Sequence, residues 1–90
     1  MSKKHEIKCK SEYFEQVQQG TKTFEIRKND RDYSIGDVVK ICEIDNDGDY
    51  TGNVVDVRIT YVLTDVPEYG LESGFCIFCW NPAMRRRCRM

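Results

Sequence analysis

A dense run of opposite charges lies between Gly20 and Asp32, where thirteen residues read GTKTFEIRKNDRD. Lys22 and Arg27 can neutralise phosphate, and Glu25 can accept a hydrogen bond from the exocyclic amine of a base. In a strand, Glu25 and Arg27 share a face with Cα atoms roughly 6.5 Å apart, so their head groups can meet or grip one polar ligand. The run therefore predicts a charged binding surface. A purely structural ion pair between Glu25 and Arg27 is the alternative.

The predicted ligand-binding set extends into the turn and the strand that follow this run. The polar turn ends the strand, and Glu43 falls in phase with the apolar residues of the next strand. A carboxylate at such a position lies at the rim or meets a cation inside, and Lys22 and Arg27 are the candidate partners. The full predicted set is Lys22, Glu25, Arg27, Asn29, Asp30, Arg31 and Glu43.

Two short elements are predicted to position this run. Ser11 can cap a helix that ends at Gly20, the usual residue type beyond a helix C-terminus. A strand over about 23–28 follows, and its alternation predicts that Phe24 and Ile26 enter the core. Thr23, Glu25 and Arg27 then share the opposite face. Further strands are predicted over 5–10, 38–44, 53–64 and 75–80, with a loop over 65–74 that borders a pocket.

The order of these elements predicts the fold class. Five strands with one early helix give a mainly β, α+β domain whose small, mostly antiparallel sheet curls toward a barrel. Ninety residues support one domain. We assign the domain to residues 1–82 and a basic, mobile tail to residues 83–90, because the tail lacks apolar periodicity.

The charges are unevenly distributed along the chain. Residues 1–42 carry nine Lys or Arg against seven Asp or Glu, residues 43–72 carry one against eight, and residues 73–90 carry four against none. This excludes a uniformly basic coat for nucleic acid. The acidic stretch over 43–72 leaves a protein-interaction domain as a further alternative.

No cofactor or metal site is predicted. Cys76 and Cys79 spell C-x-x-C but face opposite sides of a strand, with no second ligand pair. The loop from Asp45 to Asp49 departs from a calcium-binding loop and is interpreted as a turn. His5 has no Ser or Cys partner set by spacing, so a structural or solvated role is favoured.

No apolar run reaches the roughly 20 residues of a membrane span, and the polar start lacks the apolar core of a signal peptide. We therefore expect a cytoplasmic protein without a membrane partner, and a monomer is favoured. Aromatic rings are the candidates for stacking on an unpaired base, although packing in the core is their alternative role. The candidates are Tyr33, Tyr61, Tyr69, Phe78 and Trp80.

The segment GTKTFEIR resembles the G-x-K-x-x-E-x-R signature of ASCH domains, which are members of the PUA-like β-barrel superfamily. The following N-D-R, Gly36-Asp37, the opening H-E-I-K and Tyr13-Phe14 resemble a small bacterial and phage subgroup. The resemblance runs from about His5 to Trp80. It implies a five- to six-stranded pseudo-barrel with a cleft where the helix meets the sheet.

The resemblance also implies a function. It suggests that Lys22, Glu25 and Arg27 line the cleft and that the partner is RNA or a modified nucleotide. Some small relatives are amidohydrolases of acylated cytidine that use a Lys, a Thr and a further Glu. Here Lys22 matches, Glu25 stands at the Thr position, and the further Glu has no clear counterpart. An amidohydrolase with Lys22 and Glu25 as catalytic residues is therefore the alternative to a binding module, which is favoured.

Overall fold

The computed structural model describes residues 2–84 and 86–89 of the chain. Six strands, one α-helix and two 3-10 turns, over Pro67–Tyr69 and Pro82–Met84, make up the described part. The α-helix and strands are, in chain order, β1 (Lys4–Lys10), α1 (Ser11–Gln19), β2 (Phe24–Lys28), β3 (Val38–Ile44), β4 (Tyr50–Thr64), β5 (Phe75–Trp80) and β6 (Arg86–Arg89). The prediction of a mainly β domain with one short helix is confirmed.

The strands form one curled sheet in the order β1-β3-β4-β5-β2. β1 and β3 are parallel, and the other neighbours are antiparallel. β4 is long enough to pair with β3 through its first half and with β5 through its second half. The pseudo-barrel is not closed, because no backbone ladder joins β1 to β2 within the described residues. We call the gap between these two strands the β1–β2 seam.

The core lies between the concave side of the sheet and the helix. Phe14 and Val17 form the buried stripe of α1, and they pack against alternate residues of β1, β3, β4 and β5. Burying an apolar side chain of this size stabilises the fold by about 1.5–3 kcal/mol. A nine-residue helix is too short to persist alone, so this packing holds α1 in place. Within the described part, no helix has the length and apolar character that a membrane span requires.

The end of α1 fixes the start of the charged run. Gly20 adopts a left-handed conformation with φ of 83°, as predicted for the residue that ends the helix. Its N–H donates to Val17 O at 3.1 Å, and the N–H of Lys22 donates to Gln16 O at 3.0 Å. At the other end, Ser11 is the first helical residue instead of the cap, and its Oγ donates to Ile44 O at 3.0 Å. Lys22 therefore leaves the helix at a defined position.

The prediction for the two faces of β2 is wrong. Phe24 and Ile26 are 46% and 56% exposed, whereas Glu25 and Arg27 turn toward the β1–β2 seam. Alternation defines two faces of a strand but does not say which one is inward. β2 ends the sheet, and its charged face is tolerated at the seam because each polar group there has a hydrogen-bond partner.

The prediction of a mobile tail over 83–90 is corrected for Arg86–Arg89. These residues form β6, which pairs antiparallel with the first half of β4 from Asn53 to Asp56. A strand can form here without apolar periodicity, because its backbone pairs with the edge of β4 opposite β3 and the ladder bonds join main-chain groups. Arg85 and Met90 lie outside the described residues.

Candidate functional site

Lys22, Glu25 and Arg27 form one hydrogen-bonded cluster, which we call the charged trio. Lys22 Nζ donates to Glu25 Oε1 at 2.7 Å, and Arg27 Nε donates to Glu25 Oε2 at 3.2 Å. The side chains of Lys22, Glu25 and Arg27 are 19%, 13% and 30% exposed. The expectation that the head groups of Glu25 and Arg27 meet is confirmed. Two cations share one carboxylate, so the trio keeps an excess positive charge.

The trio also keeps unused hydrogen-bond donors. Lys22 Nζ donates to Phe24 O at 2.8 Å as well as to Glu25, which occupies two of the three N–H bonds of its ammonium group. Arg27 donates from Nε to Glu25 and from Nη2 to Lys8 O at 3.4 Å, out of five N–H bonds. Within the described residues the remaining donors have no assigned acceptor, so they are available to an anionic ligand.

Two arginines bridge the β1–β2 seam. Lys3 O accepts from β3, and strand alternation therefore turns the carbonyls of Glu6 and Lys8 to the opposite, unpaired edge of β1. Arg27 Nη2 reaches Lys8 O, and Arg31 Nη1 donates to Glu6 O at 2.6 Å. Guanidinium groups thus donate to the backbone carbonyls of this edge, which a neighbouring strand would pair with in a closed barrel.

A cavity of about 480 Å³ opens beside these arginines. Its volume falls in the range of roughly 300–1,000 Å³ typical of small-molecule sites. The half-exposed ring of Tyr50 forms one wall, with Lys8 Nζ 5.6 Å from the ring centroid. The lining residues are Glu6, Ile7, Lys8, Arg27, Arg31 and Tyr50.

Two further cavities continue from the first one. The second, of about 250 Å³, shares Lys8 and Arg27 with the first and also includes Tyr13 and Glu25. The third, of about 390 Å³, shares Tyr13 and Glu25 with the second. We call the three together the seam groove. The third cavity is lined by Tyr13, Lys22, Phe24, Glu25 and Ile26.

The seam groove is basic although the chain as a whole carries a net charge of −1. Two carboxylates, those of Glu6 and Glu25, line it against five cations. The cations are Lys8, Lys10, Lys22, Arg27 and Arg31. Such an excess of positive charge in a concave surface attracts anionic ligands.

Residues 4–79 match the family described as "Domain of unknown function (DUF3850)". The chain belongs to this family. It is also 42% identical over 69 residues to a protein of Escherichia phage P2 described as "Uncharacterized 12.9 kDa protein in GpA 3'region". That alignment covers 77% of this chain and 62% of the phage protein, so the chain spans less than two thirds of its relative. The DUF3850 match includes every residue that lines the seam groove.

Sequence reasoning missed Tyr50 and Cys9 in the groove of this DUF3850 domain. Tyr50 lines the groove because the pairing of β1, β3 and β4 places its ring next to Lys8. No local sequence pattern predicts this contact. Of the predicted stacking rings, Tyr33, Phe78 and Trp80 are buried in the core. Tyr61 and Tyr69 are exposed but do not line the groove.

Cys9 lies beneath the charged trio and is almost fully buried. Burial, followed by the nearby charge of Glu25, raises the pKa of its thiol to about 11, although Lys22 and Arg27 act in the opposite direction. At neutral pH the thiol is therefore protonated. Because the thiolate is the reactive form of cysteine, Cys9 is unsuited to nucleophilic attack.

Arg31 joins the trio in the groove, but three other predicted ligand residues lie outside its lining. Asn29 Oδ1 accepts from the Tyr33 N–H at 3.2 Å and so stabilises the turn. Asp30 is exposed. Glu43 accepts from Thr51 Oγ1 at 2.7 Å and from Asn53 Nδ2 at 2.9 Å.

Of the two alternatives for Glu43, a position at the rim or a pairing with Lys22 or Arg27, the pairing is therefore wrong. Burial alone raises the pKa of this carboxyl, but hydrogen bonds from Thr51 and Asn53 outweigh burial and lower it. Neutral donors thus stabilise the carboxylate where the sequence suggested a cation.

A second polar cluster, formed by His5 and Asp37, lies apart from the groove. His5 Nε2 is 2.8 Å from Asp37 Oδ2, and the two side chains are 5% and 3% exposed. Asp37 also accepts from the N–H groups of Lys3 at 2.9 Å and Ser34 at 3.0 Å. The His5 ring packs against Tyr33 with centroids 4.6 Å apart. The cluster ties the start of β1 to the turn before β3.

The acidic loop follows ordinary turn chemistry. Asp45 Oδ1 accepts from the N–H groups of Asp47 at 2.9 Å and Asp49 at 3.0 Å. The Asp45 N–H in turn donates to Asp49 O at 2.9 Å. These bonds close the loop between β3 and β4, as its interpretation as a turn requires.

Proposed function

We propose that this DUF3850 domain binds single-stranded RNA or a nucleotide in the seam groove. The observation that carries the proposal is the first cavity, of about 480 Å³, which the half-exposed Tyr50 ring lines together with Arg27 and Arg31. A flat ring beside guanidinium groups matches the two parts of a nucleotide, a base that stacks and a phosphate that accepts hydrogen bonds.

The chemistry of each group supports this assignment. The guanidinium of Arg27 is fixed by Glu25 and Lys8 O and still has donors for phosphate oxygens. A donor held in place before binding loses less entropy when the ligand arrives. Glu25 can accept from the exocyclic amine of a base, which would give the groove a preference among bases.

The resemblance to ASCH domains supports the same proposal. The signature residues Lys22, Glu25 and Arg27 all line the groove, and the resemblance implies RNA or modified nucleotides as partners. Membership of the PUA-like superfamily is part of the proposal. The open, curled sheet with a groove beside α1 is compatible with such a pseudo-barrel.

The geometry favours binding over amide hydrolysis. Lys22 Nζ donates to two acceptors, Glu25 Oε1 and Phe24 O, so its position suits a fixed cation better than a base. The neighbouring thiol of Cys9 is protonated at neutral pH because its pKa is raised to about 11. Turnover of acylated cytidine by the wild type but not by Lys22→Ala would overturn this preference.

Fluorescence anisotropy with a short labelled single-stranded RNA tests the proposal, with Arg31→Ala and Arg58→Ala as matched variants. Both arginines are exposed and donate to a backbone carbonyl, Arg31 to Glu6 O at 2.6 Å and Arg58 to Gly36 O at 2.7 Å. Arg58 does not line the groove. The two variants therefore remove the same charge and the same kind of hydrogen bond.

We expect Arg31→Ala to weaken binding about fivefold and to reduce the slope of log affinity against log salt by about 1. Arg58→Ala should bind like the wild type. Equal loss in both variants, or no RNA binding between about 50 and 200 mM salt, would reject the groove as the site.

A further inference from the structure

Each of the three cavities of the seam groove is lined by an exposed aromatic ring and a cation, and in two of them the cation lies over one face of the ring. In the first cavity, Lys8 Nζ lies 5.6 Å from the centroid of Tyr50. In the third, Lys22 Nζ lies 5.1 Å from the centroid of Phe24. The middle cavity is lined by the half-exposed Tyr13 together with Arg27. The groove is therefore built from three similar compartments in a row.

Shared walls make these compartments continuous. Arg27 lines both the first and the second cavity, and Glu25, held 2.7 Å from Lys22 Nζ, lines both the second and the third. The first and second cavities thus share a cation with unused donors, Arg27, and the second and third share Tyr13 and Glu25. Lys22, which is paired with Glu25, lines the third cavity. Rings and cations thus occur together along the groove, which suits a polymer with alternating flat and anionic parts.

The size of the compartments points the same way. The second and third cavities, of about 250 and 390 Å³, lie near the lower limit of roughly 300 Å³ for a small-molecule site. Each accommodates a ligand of modest size, and a single nucleotide would leave two of the three compartments empty. The exposed Phe24 ring gains a role only if the ligand extends to the third compartment.

We propose that the seam groove binds a single-stranded polynucleotide across at least three consecutive nucleotides. One base stacks in each compartment, on Tyr50, Tyr13 and Phe24. The two linking phosphates contact Arg27, between the first and second compartments, and Lys22, in the third. This inference rests on the proposed function and specifies the length and form of the ligand. Stacking on every ring tolerates any base, because each base has a flat face.

A length series of oligouridylates from one to six nucleotides tests the inference by competition against a labelled hexamer. Since stacking is worth about 1–3 kcal/mol per base, affinity should rise at least about fivefold with each nucleotide up to three. Beyond three nucleotides the gain should fall below about twofold per nucleotide. A matching oligothymidylate series tests whether binding requires ribose. The expected length dependence in either series supports the inference.

Phe24→Ala locates the third compartment. We expect this variant to bind the trinucleotide about as weakly as the wild type binds the dinucleotide. Tyr69→Ala is the control, because Tyr69 is an exposed ring outside the groove, and its length dependence should equal that of the wild type. A trinucleotide affinity unchanged by Phe24→Ala would overturn the inference.

The two proposals fail in different ways. If uridine monophosphate binds as tightly as the hexamer, the groove is a mononucleotide site, so the inference is wrong and the proposed function stands. If neither the monophosphate nor any oligonucleotide binds, both are wrong.

Discussion

Asp37 and Glu25 both accept hydrogen bonds from several donors, but Asp37 is buried in the fold and Glu25 lies in a partly exposed cluster. Asp37 and its partner His5 have side chains only 3% and 5% exposed. Glu25 is shared by Lys22 and Arg27, whose side chains are 19% and 30% exposed and keep unused donors. Hydrogen bonds to a carboxylate thus stabilise the fold where the cluster is buried, and they leave donors available to a ligand where the cluster is partly exposed.

Topology produces this difference. Asp37 directly precedes β3, and the pairing of β1 with β3 together with the Tyr33 ring encloses its cluster. Glu25 lies on β2 at the β1–β2 seam, which no backbone ladder closes within the described residues. The open seam therefore exposes the proposed binding surface, whereas the His5–Asp37 cluster is enclosed.

The largest effect expected from this comparison is that of Asp37→Ala on stability. The substitution leaves His5 and the N–H groups of Lys3 and Ser34 without their acceptor. Leaving a buried donor unpaired costs about 1–3 kcal/mol, so the loss of three such bonds should lower the unfolding free energy by at least about 3 kcal/mol. Urea unfolding measures it, with the exposed Asp47→Ala as the matched control, expected within about 0.5 kcal/mol of the wild type. A loss below about 1 kcal/mol for Asp37→Ala would contradict the structural role.

The contribution of Asp37 to stability should depend on pH, because the pKa of its carboxyl is lowered in the folded protein. Burial raises the pKa of Asp37, but hydrogen bonds from His5 and from the N–H groups of Lys3 and Ser34 outweigh it, so the pKa falls below its ordinary value. A lowered pKa adds stability above the unfolded-state pKa near 4, and that stability is lost as pH falls through the folded-state pKa.

The stability difference between the wild type and Asp37→Asn should therefore be largest at neutral pH and should narrow below about pH 4. Urea unfolding at a series of pH values from about 7 to 3 measures it. A difference that stays constant over the whole range would show that the Asp37 charge does not contribute.

A smaller effect, on binding instead of folding, is expected for Lys22→Ala. This change removes a phosphate-facing cation from the groove and should weaken RNA binding by about fivefold to tenfold at moderate salt. The unfolding free energy should fall by no more than about 1 kcal/mol, because the pair is partly exposed and Arg27 still neutralises Glu25. Lys28→Ala, on the same strand but exposed and outside the groove lining, is the control. Equal RNA affinity of Lys22→Ala and Lys28→Ala would show that the charged trio does not contribute to binding.

The smallest effect is expected for Phe24→Ala on stability. Because the ring is half-exposed, the loss should be below about 1 kcal/mol. The comparison is Phe14→Ala, which truncates a ring buried in the core and should cost about 3–5 kcal/mol. Similar losses from both variants in urea unfolding would mean that β2 presents its apolar face to the core after all.

Local patterns predicted much of the fold. The limits of β3 and β5 follow from apolar runs bounded by turns, and the helix ends at Gly20 because its left-handed conformation suits glycine. The orientation of β2 could not be predicted, since it depends on Arg27 and Arg31 reaching carbonyls of β1 that are distant in sequence. β6 could not be predicted either, because its backbone pairing with β4 leaves no signal in side-chain periodicity.

The candidate site was predictable only where its residues are close in sequence. The two-residue spacing of Glu25 and Arg27 predicted that their head groups meet, and the resemblance to ASCH domains implied that Lys22 lies with them. Tyr50 joins them through the register of three strands, and that register is set by packing over the whole sheet.

The central claim is that the ligand lies in the open seam, and chemical-shift mapping tests it most directly. ¹⁵N-labelled protein is titrated with a single-stranded RNA hexamer while backbone amide shifts are recorded. If RNA binds in the seam groove, the amide chemical shifts of residues 6–10, 22–31 and those around Tyr50 should change most. The shifts of residues 54–58 and 65–69 should not change. Shifts centred on the latter two segments, or spread without preference over the molecule, would contradict this claim.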